Sequence, residues 1–315
     1  MIILAIETSC DETSFSILKD GKVLSNVISS QIEQHTKYGG VIPELASRMH
    51  FENFDTVLEE AINTSKISLE DINYIAYTAN PGLLGALHVG KIIAKTLSDV
   101  LNIPLIPLNH LHGHIYAGKI DNNIVFPAIA LLISGGHTQL IYLKENLNFE
   151  IIGTTKDDAI GECFDKVARE LKLSYPGGPI IEKKASLGKV GDYDLPFPLN
   201  DDSLDFSFSG LKSAAIRIIR NHEKHNLEIN TKNFCADFQE KCTEILYSKL
   251  TKAIKKYQVK SLILAGGVAA NKSIRNMFVK LASQHHLQGI IPKLEYCTDN
   301  AAMIAMLAYE TVVNK

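Results

Sequence analysis

The chain contains no tryptophan, no CxxC pair and no excess of basic residues. Its cysteines, Cys10, Cys163, Cys235, Cys242 and Cys297, form neither an evenly spaced framework nor a zinc knuckle, so they read as reduced thiols. Cys235 and Cys242, seven apart in a helical region, are expected on one buried face. A formal net charge of −3 gives no global signature of a nucleic-acid binder, so any such role has to come from local features. No apolar run approaches the roughly 18 residues of a membrane span. The opening "MIILAIETSCDETS" lacks a basic region and meets Glu7 too soon for a secretion signal, so a cytoplasmic protein away from membranes is expected.

What is present is an ordinary globular composition, 46% hydrophobic and 21% charged, in a chain of 315 residues. That length exceeds the usual single core and predicts two lobes. The first half reads as a three-strand meander, "IILAIETS", "SFSIL" and "VLSNVISS", with turns at "CDET" and "KDGK". A helix opened by Pro43, the strand "INYIAYTA", a helix within "LGALHVGKIIAKTLSDVLN" and the strand "PLIPL" follow. The second half replays this order from "AIALLISGG" onward. The expected lobes are 1–108, with a helix at 298–315 returning to it, and 109–297, carrying a loop-rich insertion at 174–208. Two such copies resemble the duplicated actin-like ATPase fold of sugar kinases and Hsp70-type proteins, an α/β class with two lobes and a central cleft. In that fold the strand-to-strand turn of each repeat grips a nucleotide. Fold alone does not give function.

The two turns differ in chemistry. "ISGGHT", with Ile133, Ser134, Gly135, Gly136 and His137, has glycines that let backbone N–H groups approach an anion, although a plain hairpin turn explains it as well. "SCDETS" has no glycine and carries Asp11 and Glu12, which would repel phosphate. These two acids suit proton acceptance or the orienting of an amine; the alternative is simple turn chemistry. "LAGGVAAN" ends a strand in glycines before a helix, making Asn271 either a nucleotide partner or a helix cap. In "NHLHGHIYAG", His110 and His114 share a helical face while His112 points away. The pair is either two ligands of one metal or two ordinary cleft histidines. Asp299 in "CTDNAAM" is a candidate third ligand, because the last helix returns to the first lobe. Two histidines and a carboxylate with open positions suit Fe(II) or Zn(II). The cations Lys212, Arg217, Arg220 and Lys224 lie along one helical segment, either a solvated face or an RNA patch.

"ETSCDETS", "NHLHGHIYAG", "LLISGGHTQL", "GECFDKVAREL", "YPGGP", "FSFSGLKSA", "LAGGVAAN" and "CTDNAAM" stand in one order over almost the whole chain. Together they resemble the catalytic subunit of the bacterial tRNA threonylcarbamoyladenosine synthase, the TsaD family. The resemblance implies transfer of threonylcarbamoyl from threonylcarbamoyl-adenylate to the exocyclic amine of the adenine beside the anticodon, in tRNAs reading codons that begin with A. It implies iron on His110, His114 and Asp299, and adenylate contacts from Ile133 to His137, Asp165, Gly178 and Asn271. It also implies a complex with tRNA, an inactive TsaB-like paralogue and a small TsaE-like ATPase. Two positions depart from the family pattern. Glu182 stands where many members have Asp, and Leu132 stands where archaeal and eukaryotic relatives have a tyrosine ligand.

Rival readings fit less well. A zincin needs HExxH, and Leu111 occupies the place of the glutamate. A small-molecule kinase or an ATP-binding module would want a glycine-rich first turn.

Overall fold

In a computed structural model of the protein, residues 1–314 are described; position 315 of the expected last helix lies outside them. Along the chain come β1 (Ile2–Glu7), β2 (Glu12–Lys19), β3 (Lys22–Ser30), α1 (Ile32–Thr36), α2 (Pro43–Ser65), β4 (Tyr74–Asn80), α3 (Leu84–Leu101), β5 (Leu105–Asn109) and α4 (His110–Ala117). The second run is β6 (Ala128–Ile133), β7 (Thr138–Leu143), β8 (Phe149–Thr154), α5 (Ile160–Glu170), α6 (Gly177–Ala185), α7 (Ser209–Lys224), α8 (Thr231–Lys256), β9 (Ser261–Ala265), α9 (Lys272–Gln284) and β10 (Gln288–Ile290). The last helix is α10 (Ala301–Val313).

These elements divide into two compact units, Met1–Asn123 with Pro292 onward, and Ile124–Ile291. Each unit has a five-stranded sheet among the described residues, in the orders β3-β2-β1-β4-β5 and β8-β7-β6-β9-β10. The meander strands pair antiparallel and the rest parallel in both, so the repeat read from the sequence is a repeat of topology. The central strands β1 and β6, "IILAIE" and "AIALLI", are buried along their whole length. That is the pattern of strands covered on both faces. Between β2 and β3 the chain reverses at Asp20 and Gly21, both at positive φ, as a tight Asp-Gly hairpin turn requires. Pro43 opens α2 as expected.

The boundary between the units falls at 123/124 rather than at 108/109, and the first unit resumes at Pro292 rather than at 298. The reason is packing. α4 lies against α10, and a Cβ added at Gly113 would come within 2.7 Å of Ile304. α10 is apolar almost all round and buried from Ala301 to Ala308, as a central helix should be. The stretch expected as a loop-rich insertion contains α6, started by Pro176 and continued by the helix-compatible "IIEKKA". All five cysteines are free thiols, and Cys235 and Cys242 are both buried on α8. Among the described residues no helix is long and apolar enough to cross a membrane.

Candidate functional site

The histidine pair sits at the start of α4. Asn109 caps that helix, its side chain accepting from the N–H groups of Leu111 and His112, which fixes where the first turn begins. His110 and His114 then face one way, with their rings edge to face at 4.6 Å. His112 does not join them, and burial pushes it down to about 4. Asp299, just before the cap of α10, completes the group: its Oδ1 lies 3.1 Å from His114 Nε2 and 3.5 Å from His110 Nε2. One ligand atom from each residue falls within 4.8 Å of the others, and both histidines are buried. Two imidazole nitrogens and a carboxylate oxygen this close are a donor set that could hold a divalent metal ion.

Behind His110 stands Glu7, which in the sequence counts only as a charge too early for a secretion signal. Glu7 closes β1 and is fully buried. Its Oε2 takes a hydrogen bond from His110 Nδ1 at 3.1 Å and one from the Thr78 hydroxyl, and its Oε1 accepts from the Ser9 N–H at 2.6 Å. Ser9 Oγ also lies 3.1 Å from His110 Nδ1. A buried carboxylate on the far nitrogen of a histidine fixes its tautomer and leaves Nε2 to face a metal. Burial works against both charges, yet Glu7 and Asp299 outweigh it at His110, which rises to about 9, while His110 holds Glu7 below its ordinary value. The signal for Glu7 was present: a charge ending a wholly apolar strand needs a partner. His114 is not braced in the same way, since its Nδ1 is buried without a hydrogen-bond partner among the described residues.

Asp11 ends the turn between β1 and β2 and Glu12 opens β2, and both are buried rather than solvated. Glu12 is pushed well above the carboxylate range, first by burial and then by the charges of Asp299 and Asp11. The Ser30 hydroxyl donates to it at 3.3 Å. Cys10, between them and Ser9, is raised by burial and by its acidic neighbours, so it is no thiolate nucleophile.

The other candidates collect in the second unit through a series of direct links. The turn after Ile133 is closed by Ser134 N–H donating to the His137 carbonyl at 2.8 Å, and by His137 N–H donating to Ser134 Oγ at 3.1 Å. A Cβ placed on Gly135 or Gly136 meets nothing within 4 Å, so that side of the turn is open. Its other side rests on Gly161 of α5, where a Cβ would lie 2.6 Å from the Ser134 carbonyl. One helical turn on, Asp165 accepts the N–H of Gly177 at 2.7 Å, and burial raises its carboxyl. Gly178 is open as well, and Glu182, one turn further, accepts the N–H of Lys272 at 2.8 Å. Asn271 is a helix cap: its Oδ1 accepts from Ile274 N–H at 3.1 Å and its Nδ2 donates to Gln239 at 2.8 Å. Leu132 is fully buried in β6 and offers no ligand. Two of the four cations on α7 are held in ion pairs, Lys212 with Asp158 and Arg220 with Glu170 through two hydrogen bonds.

Known proteins share the fold and the sequence of this chain. The fold is that of HypF, to which the whole chain aligns over 47% of that protein with a TM-score of 0.66 and 15% identity. Component A of (R)-2-hydroxyglutaryl-CoA dehydratase from Acidaminococcus fermentans shares it over 99% of both chains, with a TM-score of 0.55 and 15% identity. Both place the protein in the duplicated actin-like fold. In sequence, the chain is 51% identical to the tRNA N6-adenosine threonylcarbamoyltransferase of Mycoplasma capricolum, over 100% of this chain and 99% of that one. It is 50% identical to the protein of the same name from Staphylococcus carnosus, over 96% and 89%. Residues 22–306 match the family described as TsaD, and the chain belongs to the tRNA N6-adenosine threonylcarbamoyltransferase family.

Proposed function

We propose that this protein transfers the threonylcarbamoyl group of threonylcarbamoyl-adenylate to the exocyclic N6 amine of the adenosine beside the anticodon, in tRNAs reading codons that begin with A, releasing AMP. The observation that carries this reading, in a member of this family, is the gathering of His110, His114 and Asp299 in the same unit as the buried acids Asp11 and Glu12.

The exocyclic amine is a weak nucleophile, because its lone pair is delocalised into the purine. It has to lose a proton as the new C–N bond forms and the bond from the carbamoyl carbon to the phosphate oxygen breaks. Glu12, whose carboxyl is raised by burial and by the charges of Asp299 and Asp11, is the base assigned to that proton. Asp11 beside it orients the amine. A divalent ion, Fe(II) or Zn(II), held by His110, His114 and Asp299 would supply Lewis-acid polarisation of the carbamoyl carbonyl. In the second unit, the open face of Ile133 to His137 cradles the phosphate of the leaving AMP. Asp165, Gly178, Glu182 and Asn271, linked to that turn, line the remainder of the adenylate. The working assembly includes tRNA, a TsaB-like paralogue and a TsaE-like ATPase.

The test combines metal-loaded protein, the adenylate donor, unmodified tRNA and those two partner proteins. Nucleoside analysis of the digested tRNA is expected to show threonylcarbamoyladenosine. Unmodified adenosine with intact donor and loaded metal would overturn the reading.

A further inference from the structure

A line of buried polar groups in the first unit is used by none of the chemistry above. It begins at the partly exposed strip 37–42 that joins α1 to α2. The N–H of Ile42 donates to His35 Nδ1 at 3.2 Å, so His35 carries its proton on Nε2, which donates to Gln31 Oε1 at 3.1 Å. The Gln31 amide is thereby oriented, and its Nε2 donates to the Ala46 carbonyl and to His50 Nδ1, both at 3.4 Å. His50 Nδ1 also accepts from the Thr13 hydroxyl at 2.8 Å. His50 then has its proton on Nε2, which donates to the Cys10 carbonyl at 2.9 Å. The direction is forced from both ends, because a backbone N–H can only donate and a carbonyl can only accept.

Gln31, His35 and His50 are each 0% exposed. Three polar side chains buried so deeply are costly unless every partner is in place, and here each has one. The line ends at the acid turn. The Cys10 carbonyl is taken by His50, the Asp11 carbonyl by the N–H of Gln31 at 3.0 Å, and the Ser9 carbonyl by the N–H of Leu83 at 2.8 Å. Successive carbonyls of this turn are therefore fixed from outside it. An apolar trio would fill the same volume but would leave the Cys10 carbonyl without this donor.

We propose that His50, with Gln31 and His35 behind it, positions the Ser9–Glu12 turn so that the carboxylates of Asp11 and Glu12 meet the reacting amine. This rests on the role given to those carboxylates above. Long-range proton–nitrogen correlation spectra of the full-length, metal-loaded protein should show both imidazoles with the proton on Nε2; an Nδ1–H form at His50 overturns the proposal. His50→Leu, which removes the donor, is expected to slow single-turnover transfer by about 10²-fold with KM nearly unchanged, since a small misplacement distant from the chemistry has effects of that order. His50→Gln can donate to Cys10 and accept from Gln31, and should recover most of the rate. A His50→Leu rate within about threefold of the parent, or no recovery by His50→Gln, overturns the proposal, given the effect expected of misplacement. If His50→Leu does not fold, His35→Leu, two links further from the turn, takes its place beside the spectra. Asp11→Asn and Glu12→Gln run in parallel separate the two ideas. Silent amides with a slow His50→Leu overturn the carboxylate role and leave the positioning of the turn standing. Slow amides with a normal His50→Leu overturn the positioning alone.

Discussion

The two strand-to-strand turns occupy the same place in the two repeats, between the first and second strands of each sheet. They are held in opposite ways. The turn after β6 closes on itself through Ser134 and His137 and rests against the backbone of α5, which only Gly161 allows. Its glycines face open space. The turn after β1 has no glycine, and its carbonyls are taken by His50, Gln31 and Leu83. One turn keeps backbone free for a ligand, whereas the other uses its surroundings to hold side chains. Duplication supplied the same loop twice, and the chemistry diverged through what packs behind it.

The largest effects should come from His110, His114 and Asp299, the candidate metal ligands. His110→Ala and Asp299→Ala are each expected to reduce bound metal to background by elemental analysis, with transfer lost and the fold retained. The loss should exceed the ~10–100-fold expected for an outer partner such as Glu7, so Glu7→Gln is the graded member of the series. Full metal content in both alanine variants would remove His110, His114 and Asp299 as a site.

Next come the acids themselves. Glu12→Gln or Asp11→Asn should slow single-turnover transfer by ~10²–10⁴-fold, the usual range for general-base assistance. Stability should hardly fall for Glu12→Gln, because the amide keeps the shape of the carboxyl and burial disfavours the charged form. Rates near the parent value for both variants would reduce the pair to turn chemistry.

A smaller effect separates the glycines of the other turn. Gly135→Ala meets no protein atom within 4 Å, so melting should be unchanged while calorimetry shows adenylate binding weakened. A tenfold loss, about 1.4 kcal/mol, is the scale expected. Gly161→Ala meets the Ser134 carbonyl at 2.6 Å and Gly135 Cα at 2.8 Å, and should destabilise the protein itself. Overpacking of this kind typically costs ~1–3 kcal/mol. Equal melting temperatures for the two variants would show that the turn does not depend on Gly161.

Much of this was legible in the sequence. The repeat and the meanders follow from strand patterns, the pairing of His110 with His114 from one helical spacing, and Asp299 from the expected return of the last helix to the first lobe and from the family resemblance. What was not legible depends on tertiary packing. Local pattern could not say that the first unit runs on past α4 to Asn123, because that is settled by packing such as the fit of Gly113 against Ile304. Glu7 stood out only as an early charge, and His50 and Gln31 looked like residues of an ordinary helix and loop. Their roles come from contacts across 103 positions for Glu7 with His110 and 40 for His50 with Cys10. Nor could local pattern show that Asp11 and Glu12 are buried, because the elements that bury them lie elsewhere in the chain.

The molecule also contains a control for what a carboxylate does when turn chemistry is its whole task. Asp157 precedes α5 and holds the start of α7. It accepts from the hydroxyls of Ser207 and Ser209 at 2.6 and 2.7 Å, and from the N–H groups of Phe208 and Ser209 at 2.8 and 3.1 Å. Burial, the largest single influence, raises it, but the four donors together outweigh burial and bring it down to about 2, the opposite of Glu12. A carboxyl depressed in the folded state stabilises fully above its unfolded value, about 3.9, and the contribution is lost as pH falls through about 2. The size should be about 1 kcal/mol, the usual worth of a helix cap, because solvent reaches this side chain and screens the charge. Urea melts of the parent and Asp157→Asn should therefore differ by about that much at pH 6 and converge only as pH falls below about 2. Transfer at neutral pH should be untouched. A difference that stays constant with pH would mean that the donors do not depend on the charge of Asp157. A slowed transfer would mean that a carboxylate used only for shape also affects the chemistry, and the contrast between Asp157 and Glu12 would no longer identify the base.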